Sequence, residues 1–336
     1  MFLALKDIRA AKARFALITV TVAMMALLVS FLSGLTGGLT HQTISSLSAL
    51  GGRAAILEGT SSPSLDRSRL STAVTDDLIA ANPQSTAVSF SRTRVGGADL
   101  AVVSVAAGHN GPADHATYMP AAGEAAVSSA AQTATGLSVG DTLTIRGQQL
   151  TVAAITGDDW FNHSPVIWTH LEPGTEAAAV ITAAADPAIT GDTQTVAAGE
   201  LPATLAAHQA ESTSLGIISA MLLMITALVT GAFFLVWTVQ RTGDIATLKA
   251  LGATTSSLIA DSLGQATVIL ATGIGAGLAV TVATATAIGD SLPFVLNGST
   301  TVLPAVTMFA LGLAGAAAAL LFLRTTSPLT ALGGNR

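Results

Sequence analysis

Four long stretches without a charged residue constrain this chain more than any other feature of its sequence. They cover residues 15–39, 215–239, 262–289 and 303–323. About 20 apolar residues are enough for a helix to cross the hydrocarbon core of a bilayer. Only 10% of the residues are charged, against about a quarter in soluble domains. We therefore predict an α-helical membrane protein with four transmembrane helices, at residues 15–39, 215–240, 256–289 and 303–323.

The first run is too long for the apolar region of a signal peptide, and no clear cleavage site follows it. We expect it to be a retained anchor. The third run contains Gly273, Gly275 and Gly277, which weaken a helix in water but are tolerated in membrane helices that pack closely.

Basic residues near the membrane ends predict the orientation, because lysine and arginine are enriched on the cytoplasmic side. The loop at residues 290–302 has none of them. The basic residues that flank the remaining ends of the predicted spans are Lys6, Arg9, Lys12, Arg14, Arg241, Lys249, Arg324 and Arg336. We predict a multi-pass protein of a cell membrane with a cytoplasmic N-terminal segment (1–14), 240s loop (241–255) and tail (324–336). The alanine-rich, lysine-poor composition is typical of a high-GC bacterial genome.

Residues 40–214 are then expected outside the cell as an α+β domain inserted between the first and second transmembrane helices. "DTLTIRGQQLTVAAITGDD" and "STAVSFSRTRVGGADLAVVSVA" alternate apolar and polar residues around glycine-containing turns, which predicts two β-hairpins. "GEAAVSSAAQTATGL" has a helical period. "SSPSLDRSRLS" and "GELPATLAAHQAEST" are polar segments leading into and out of the domain.

The stretch "RTGDIATLKALGATTSSLI", residues 241–259, places a short amphipathic helix between two membrane spans. Ile245, Leu248 and Leu251 fall at helical spacing. Gly252 is suited to end the helix, and Thr254 or its neighbour to cap the next one. Spacing alone leaves two interpretations open, a simple interfacial helix or a docking surface.

This stretch resembles the signature of FtsX-type ABC transporter permeases, a basic residue followed by E-I-x-x-L/x-K/R-A-L/I-G-A after the second membrane helix. The chain departs from it at Asp244, where glutamate is usual, and at Gly243, where a charge is common. "GEAAVSSAAQTATGLSVGDTLTIRGQQLTVAAITGD" is similar to the external domain of MacB-type permeases. Size and layout are most similar to haem-exporter permeases of the HrtB kind.

The resemblance implies that the 240s loop is a coupling helix that docks onto a separate ATPase subunit. Its residues are Arg241, Asp244, Ile245, Leu248, Lys249, Ala250, Leu251 and Gly252. The resemblance also implies a permease homodimer in a 2+2 complex, and an N-terminal amphipathic helix, "LALKDIRAAKARF", on the inner lipid surface.

The chain carries no G-x-x-x-x-G-K-S/T phosphate-binding loop and no recognisable catalytic constellation. We therefore expect no enzyme activity and no intrinsic cofactor, with ATP and Mg used by the partner subunit. There is no cysteine and no basic patch for nucleic acid. His109, His115, His163 and His170 lack the i, i+3 or i, i+4 spacing of helical metal ligands, so we predict no metal site.

Two further motifs have alternative interpretations. "DDWFNH" fits a loop of packing aromatics better than a partner-contact loop. Gly34 with Gly38, and Gly273 with Gly277, permit close helix contact either within the chain or in a dimer.

The near-absence of ionisable residues in the spans points to a hydrophobic or amphipathic cargo. If that cargo is haem, its iron needs ligands, and the candidates are Met24, Met25, His208 and Glu211. Methionine packing, or Glu211 capping a helix start, are the alternatives. A change at His163 is expected to leave haem binding unaltered, because its loop is expected well above the bilayer.

Two other functions are weighed against haem export. One is a non-transporting FtsX-like subunit that passes conformational change to an external cell-wall hydrolase. The other is export of a different hydrophobic toxin. A membrane enzyme is disfavoured by the lack of paired catalytic groups near the spans.

Overall fold

The computed structural model describes residues 12–106, 119–240, 243, 247–249, 251–289 and 292–320. The chain divides into two compact units. The first, Met1–Gly38 with Ser214–Arg336, is called the membrane unit below, and the second, Leu39–Thr213, the sheet unit.

Six α-helices and one 3₁₀ turn are described from their first residue to their last. They are α1 (Lys12–Leu50), α2 (Thr72–Ala81), α3 (Ser129–Thr135), the 3₁₀ turn Leu201–Thr204, α4 (Ala206–Gln240), α5 (Thr255–Ile288) and α6 (Gly298–Leu320). Of these, α1, α4, α5 and α6 are long and apolar enough to cross a membrane. The prediction of four such helices is confirmed within the described part of the chain.

Helices α1 and α4 extend beyond the predicted spans. Helix α1 continues to Leu50, where Gly51 and Gly52 follow with left-handed φ values of 68° and 85°, a conformation that glycine adopts without a Cβ penalty. Helix α4 already begins at Ala206. The polar segment predicted to lead out of the domain is therefore helical from residue 206, because alanine, glutamine and glutamate are strong helix formers.

Glycines let the helices of the membrane unit approach closely. A Cβ atom added at Gly273 would lie 2.7 Å from Val22 on α1, and one added at Gly231 on α4 would lie 3.1 Å from the Gly315 carbonyl on α6. Gly277 likewise faces α1 at Ala23. Small residues at helix contacts replace the hydrophobic driving force that lipid removes.

Both predicted glycine pairs are used inside the chain. Gly34 lies under the ring of Phe294, and Gly38 under the backbone of Pro293, so the loop before α6 packs onto α1. The second pair contacts α1, as described above. These pairs therefore serve packing within the chain, and the homodimer stays a prediction.

The sheet unit contains the strands of a mixed sheet. They are β1 (Ala54–Glu58), β2 (Ser85–Val95), β3 (Ala98–Val105), β4 (Glu124–Ser128), β5 (Thr142–Ile145), β6 (Gln148–Thr156), β7 (Trp160–Phe161), β8 (Ser164–His170), β9 (Ala179–Thr182) and β10 (Thr193–Ala197). Their order is β10-β1-β9-β2-β3-β8-β4-β6-β5, with β7 paired to β8. The β3–β8 and β4–β6 pairs are parallel and the others antiparallel.

Both predicted hairpins are confirmed. Strands β2 and β3 pair across Gly96 and Gly97, which have φ values of 60° and 89°, and β5 and β6 pair across Arg146 and Gly147, at 51° and 81°. Positive φ at both central residues is the mark of the tight turns that match strand twist.

The helix predicted over "GEAAVSSAAQTATGL" is only half right. Its first part is strand β4, and helix α3 starts after Ser128, whose side chain accepts from the Ala131 N–H. The short apolar run of β4 lies between β8 and β6 in the sheet. A short buried strand and a buried helix segment have the same local pattern, so pairing with distant strands decides the outcome.

Candidate functional site

The Glu211 carboxylate, on α4, meets two polar side chains from distant parts of the sheet unit. Its Oε1 accepts a hydrogen bond from His163 Nε2 at 2.7 Å, and its Oε2 lies 3.4 Å from Thr43 Oγ1, which donates to the Leu39 carbonyl at 2.8 Å. Thr43 lies on α1 and is fully buried, whereas the His163 and Glu211 side chains are each 33% exposed. We call Thr43, His163 and Glu211 the carboxylate cluster.

His163 reaches Glu211 because it sits at the tip of the β7–β8 hairpin. Asn162 and His163 have φ values of 49° and 61°. Asparagine and histidine are enriched among the non-glycine residues that adopt this region. The Asn162 N–H donates to the Thr43 carbonyl and the His163 N–H to the Gln42 carbonyl, both at 3.0 Å. The tip is thus fixed to α1 by its backbone as well as by the imidazole.

Further contacts hold the same hairpin against α1. The Trp160 N–H donates to Ser45 Oγ at 2.7 Å. His41 Nε2 lies 3.1 Å from an Asp158 carboxylate oxygen, and the other oxygen of Asp158 accepts from the Trp160 indole at 2.7 Å. The hairpin is therefore attached to the helix at several successive positions.

The base of the hairpin is anchored in the core of the sheet unit. Asp159 is buried and accepts hydrogen bonds from the Trp168 indole and the Thr156 hydroxyl, each at 3.0 Å. The ring of Phe161 stacks on Phe90 at a centroid distance of 4.4 Å. These contacts support the interpretation of "DDWFNH" as a packing loop.

The structure bears on two of the sequence-based interpretations of these residues. His163 contacts Glu211 directly, so the height of its loop above a bilayer is no longer a reason to expect that a change at His163 leaves haem binding unaltered. The alternative that Glu211 caps a helix start is wrong, because α4 begins at Ala206. There the carboxylate of Asp66 accepts from the Ala206 N–H at 3.2 Å. Glu211 lies beyond the first turn and makes tertiary contacts instead.

The other haem-ligand candidates are less engaged. His208 lies on α4 one turn before Glu211 and is partly exposed. In the membrane unit, Met24 is 53% exposed, whereas Met25 is partly buried and packs against the helix core. Adjacent methionines on α1 thus present different surfaces, and Met24 is the more exposed of the two.

In the described part of the chain, no group of three histidine or acidic side chains is arranged to hold a metal ion. His109 and His115 lie outside the described residues. His170, in β8, keeps its ring within the sheet unit, where Nδ1 is buried and has no hydrogen-bond partner among the described residues.

The predicted coupling segment is described in part. Residues 243 and 247–249 are helical, and Arg241, Asp244, Ile245 and Ala250 lie outside the described residues. The Ala253 N–H donates to the Leu248 carbonyl at 2.9 Å and the Gly252 N–H to the Lys249 carbonyl at 3.0 Å. These two bonds form a Schellman motif with Gly252 at φ 97°.

The ends of this segment agree with the prediction. Gly252 terminates the helix, and the Thr254 side chain accepts from the Ser257 N–H at 3.2 Å to cap α5. Between them Leu251 is 81% exposed, the largest exposure among the large hydrophobic side chains of the described residues.

Residues 216–328 match the family model of the FtsX-like permease C-terminal region. Over the whole chain, the protein is 26% identical over 350 residues to the "Putative hemin transport system permease protein HrtB" of two strains of Staphylococcus epidermidis. The protein of that name from Staphylococcus haemolyticus is 28% identical over 357 residues, with 99% of each chain covered. The resemblance to FtsX-type permeases of the HrtB kind is confirmed.

Proposed function

We propose that this chain is the membrane permease subunit of an ATP-driven ABC exporter whose cargo is haem. The observation that carries the proposal is the full-length similarity to relatives named as hemin transport permeases, which spans the sheet unit as well as the helices. A similarity confined to the coupling segment would support only an FtsX-type permease. The extent of the match therefore favours haem export over control of a cell-wall hydrolase.

In this proposal the sheet unit faces outwards and the coupling segment faces the cytoplasm. The distribution of basic residues supports this orientation. ATP is hydrolysed by a separate subunit, since the sequence has no phosphate-binding loop. That subunit docks at the coupling segment, where Leu251 offers an exposed apolar contact. A second copy of the permease completes a 2+2 complex.

The chain itself supplies the surfaces that an amphipathic cargo requires. The apolar faces of α1 and α4, with Met24 and Met221 among their exposed side chains, offer contacts to a porphyrin taken from the bilayer. Glu211 is the favoured iron ligand, because it is the acidic residue nearest in sequence to the start of the second span and its carboxylate is partly exposed. Met24 and His208 are the candidates for a second ligand, whereas Met25 packs into the helix core.

Haem titration of the purified permease in lipid nanodiscs tests the proposal. The wild type is expected to give a saturable Soret band. Glu211→Ala should weaken binding at least tenfold, whereas Glu200→Ala, which removes an exposed carboxylate elsewhere in the sheet unit, should not. A wild-type protein without saturable haem binding would overturn the haem assignment, and equal loss in both variants would remove Glu211 from the site.

Ligand type can be read from the same spectra. Replacing Met24 by leucine should shift the Soret band if its sulfur coordinates the iron, because axial ligands tune haem electronics. The matched change at Met25 should leave the band in place, since that side chain packs into the helix core. The direction of transport is checked in cells. Cells lacking the protein should be sensitive to haem, and the wild-type gene should restore their tolerance.

A further inference from the structure

We infer that His163 is a positioning residue that holds the Glu211 carboxylate ready to ligate cargo iron. The inference rests on the proposed function, because it assigns a role to a side chain that touches the proposed ligand. It concerns the hydrogen bond between His163 Nε2 and Glu211 Oε1, whose length is 2.7 Å.

The two carboxylate oxygens of Glu211 are engaged to different degrees. Oε1 has the short bond to His163, whereas the one contact of Oε2 among the described residues is the Thr43 hydroxyl at 3.4 Å, near the limit for a hydrogen bond. A carboxylate oxygen has two lone pairs, and a third of the side chain is exposed. Oε2 is therefore the atom that remains able to coordinate iron while Oε1 stays bound to His163.

The imidazole is held by a rigid element, which is what a positioning residue requires. Its own N–H is bonded to the Gln42 carbonyl, and the neighbouring Asn162 N–H to the Thr43 carbonyl. The carboxylate of Asp159 ties the start of the hairpin into the core through Trp168. A long, unbranched glutamate side chain would otherwise sample many rotamers, and ordering it before the ligand arrives lowers the cost of binding.

The hydrogen-bond direction also favours positioning over direct ligation by His163. A carboxylate only accepts, so Nε2 carries the hydrogen and donates it to Glu211. Iron ligation through Nε2 would require this bond to break and Nε2 to lose its hydrogen. Removing a residue that orients a metal ligand through a hydrogen bond typically lowers metal affinity 10- to 100-fold.

The test compares variants that separate this role from simple docking of the hairpin. His163→Gly removes the imidazole and keeps the turn, because Asn-Gly is the favoured pair for a tight turn with positive φ at both positions. His163→Gln restores a side-chain donor. His41→Ala is the matched control, since it removes another histidine contact between α1 and the hairpin, at Asp158, without touching Glu211.

Haem affinity and Soret position are measured in nanodiscs for each variant, alone and combined with Glu211→Ala. We expect His163→Gly to weaken haem binding about 10- to 100-fold with the Soret maximum unmoved, His163→Gln to restore most of the affinity, and His41→Ala to resemble the wild type. In the Glu211→Ala background, His163→Gly should cause no further loss, because the two residues act through one carboxylate.

Three results would overturn the inference while leaving haem transport intact. They are wild-type affinity in His163→Gly, the same loss in His41→Ala as in His163→Gly, and an additive loss in the double variant. A shifted Soret band in His163→Gly would instead identify a direct ligand and also reject positioning. If the wild type binds no haem, the proposed function fails first and the inference falls with it.

Discussion

Replacing Gly277 by alanine is expected to destabilise the membrane unit, whereas the same change at Gly275 on the same helix is not. A Cβ atom at position 277 would lie 2.5 Å from the Ala23 carbonyl oxygen and 2.6 Å from the Ala26 Cβ on α1. In the described structure, outside the flanking residues and α5's own backbone, no heavy atom lies within 4 Å of a Cβ added at Gly275. The two variants therefore have the same composition and differ only in what the methyl group meets.

The size of the effect follows from these distances. Carbon atoms pack best at about 3.5–4.0 Å, so the contact at 277 is too short by roughly 1 Å. Part of the obstacle is helix backbone, which cannot rotate away, so α1 and α5 must separate. Overpacking of this kind typically costs about 1–3 kcal/mol. The gain in helix propensity, up to about 1 kcal/mol in water, is common to both variants and cancels.

The expected difference between the variants is thus about 1–3 kcal/mol, or roughly 5- to 150-fold in the unfolding equilibrium. It can be measured by unfolding the purified protein in mixed micelles with increasing SDS. Trp237, whose ring lies 5.0 Å from that of Phe15 within the membrane unit, supplies a fluorescence signal. Equal midpoints for Gly277→Ala and Gly275→Ala would refute the close packing of α5 on α1.

Three other outcomes are expected. Leu251→Asp should abolish stimulation of the partner ATPase while span insertion and expression survive, and normal stimulation would reject the docking role. The chain has no native cysteine, so single cysteines can be placed at the exposed positions Thr247 and Gln148. A cysteine at 247 should react with thiol reagents only from the cytoplasm and one at 148 only from outside; reversed labelling would overturn the orientation. The Arg94 guanidinium donates to Asp99 and holds the pKa of that carboxyl below its ordinary 3.8. Arg94→Ala should raise the pKa of Asp99 in an NMR titration. The ion pair stabilises the fold at pH values above the ordinary pKa of the carboxyl group, and this stabilisation is lost as the pH falls through the lowered pKa of Asp99.

Features set by neighbouring residues could be predicted from the sequence, and those set by distant ones could not. The turns at Gly96–Gly97 and Arg146–Gly147 carry their own signal, because few residues accept positive φ at two successive positions. The end of the coupling segment at Gly252 is local in the same sense. The prediction of a helix at strand β4 was wrong because the short apolar run has no period of its own, and the two strands that pair with it come later in the chain.

The candidate site divides along the same line. Position beside an apolar span was enough to select Glu211, but no spacing rule connects it to His163, 48 residues earlier, or to Thr43, 168 residues earlier. Their meeting depends on how the β7–β8 hairpin docks onto α1. That docking rests in part on backbone N–H groups of the hairpin tip and carbonyls of a helix, groups that almost all residues carry and that give no sequence signal.

The part of α1 that continues beyond the predicted span carries polar groups. From residue 15 to residue 39 its sequence is uncharged and largely apolar, and beyond that it offers the imidazole of His41 and the hydroxyl groups of Thr43 and Ser45. These side chains, and carbonyls of the same turns, bind the hairpin that orients Glu211. Glu211 in turn lies four residues before the predicted span of α4 begins at Leu215. In the proposed function, a carboxylate that is already oriented binds the metal centre of the cargo at lower entropic cost.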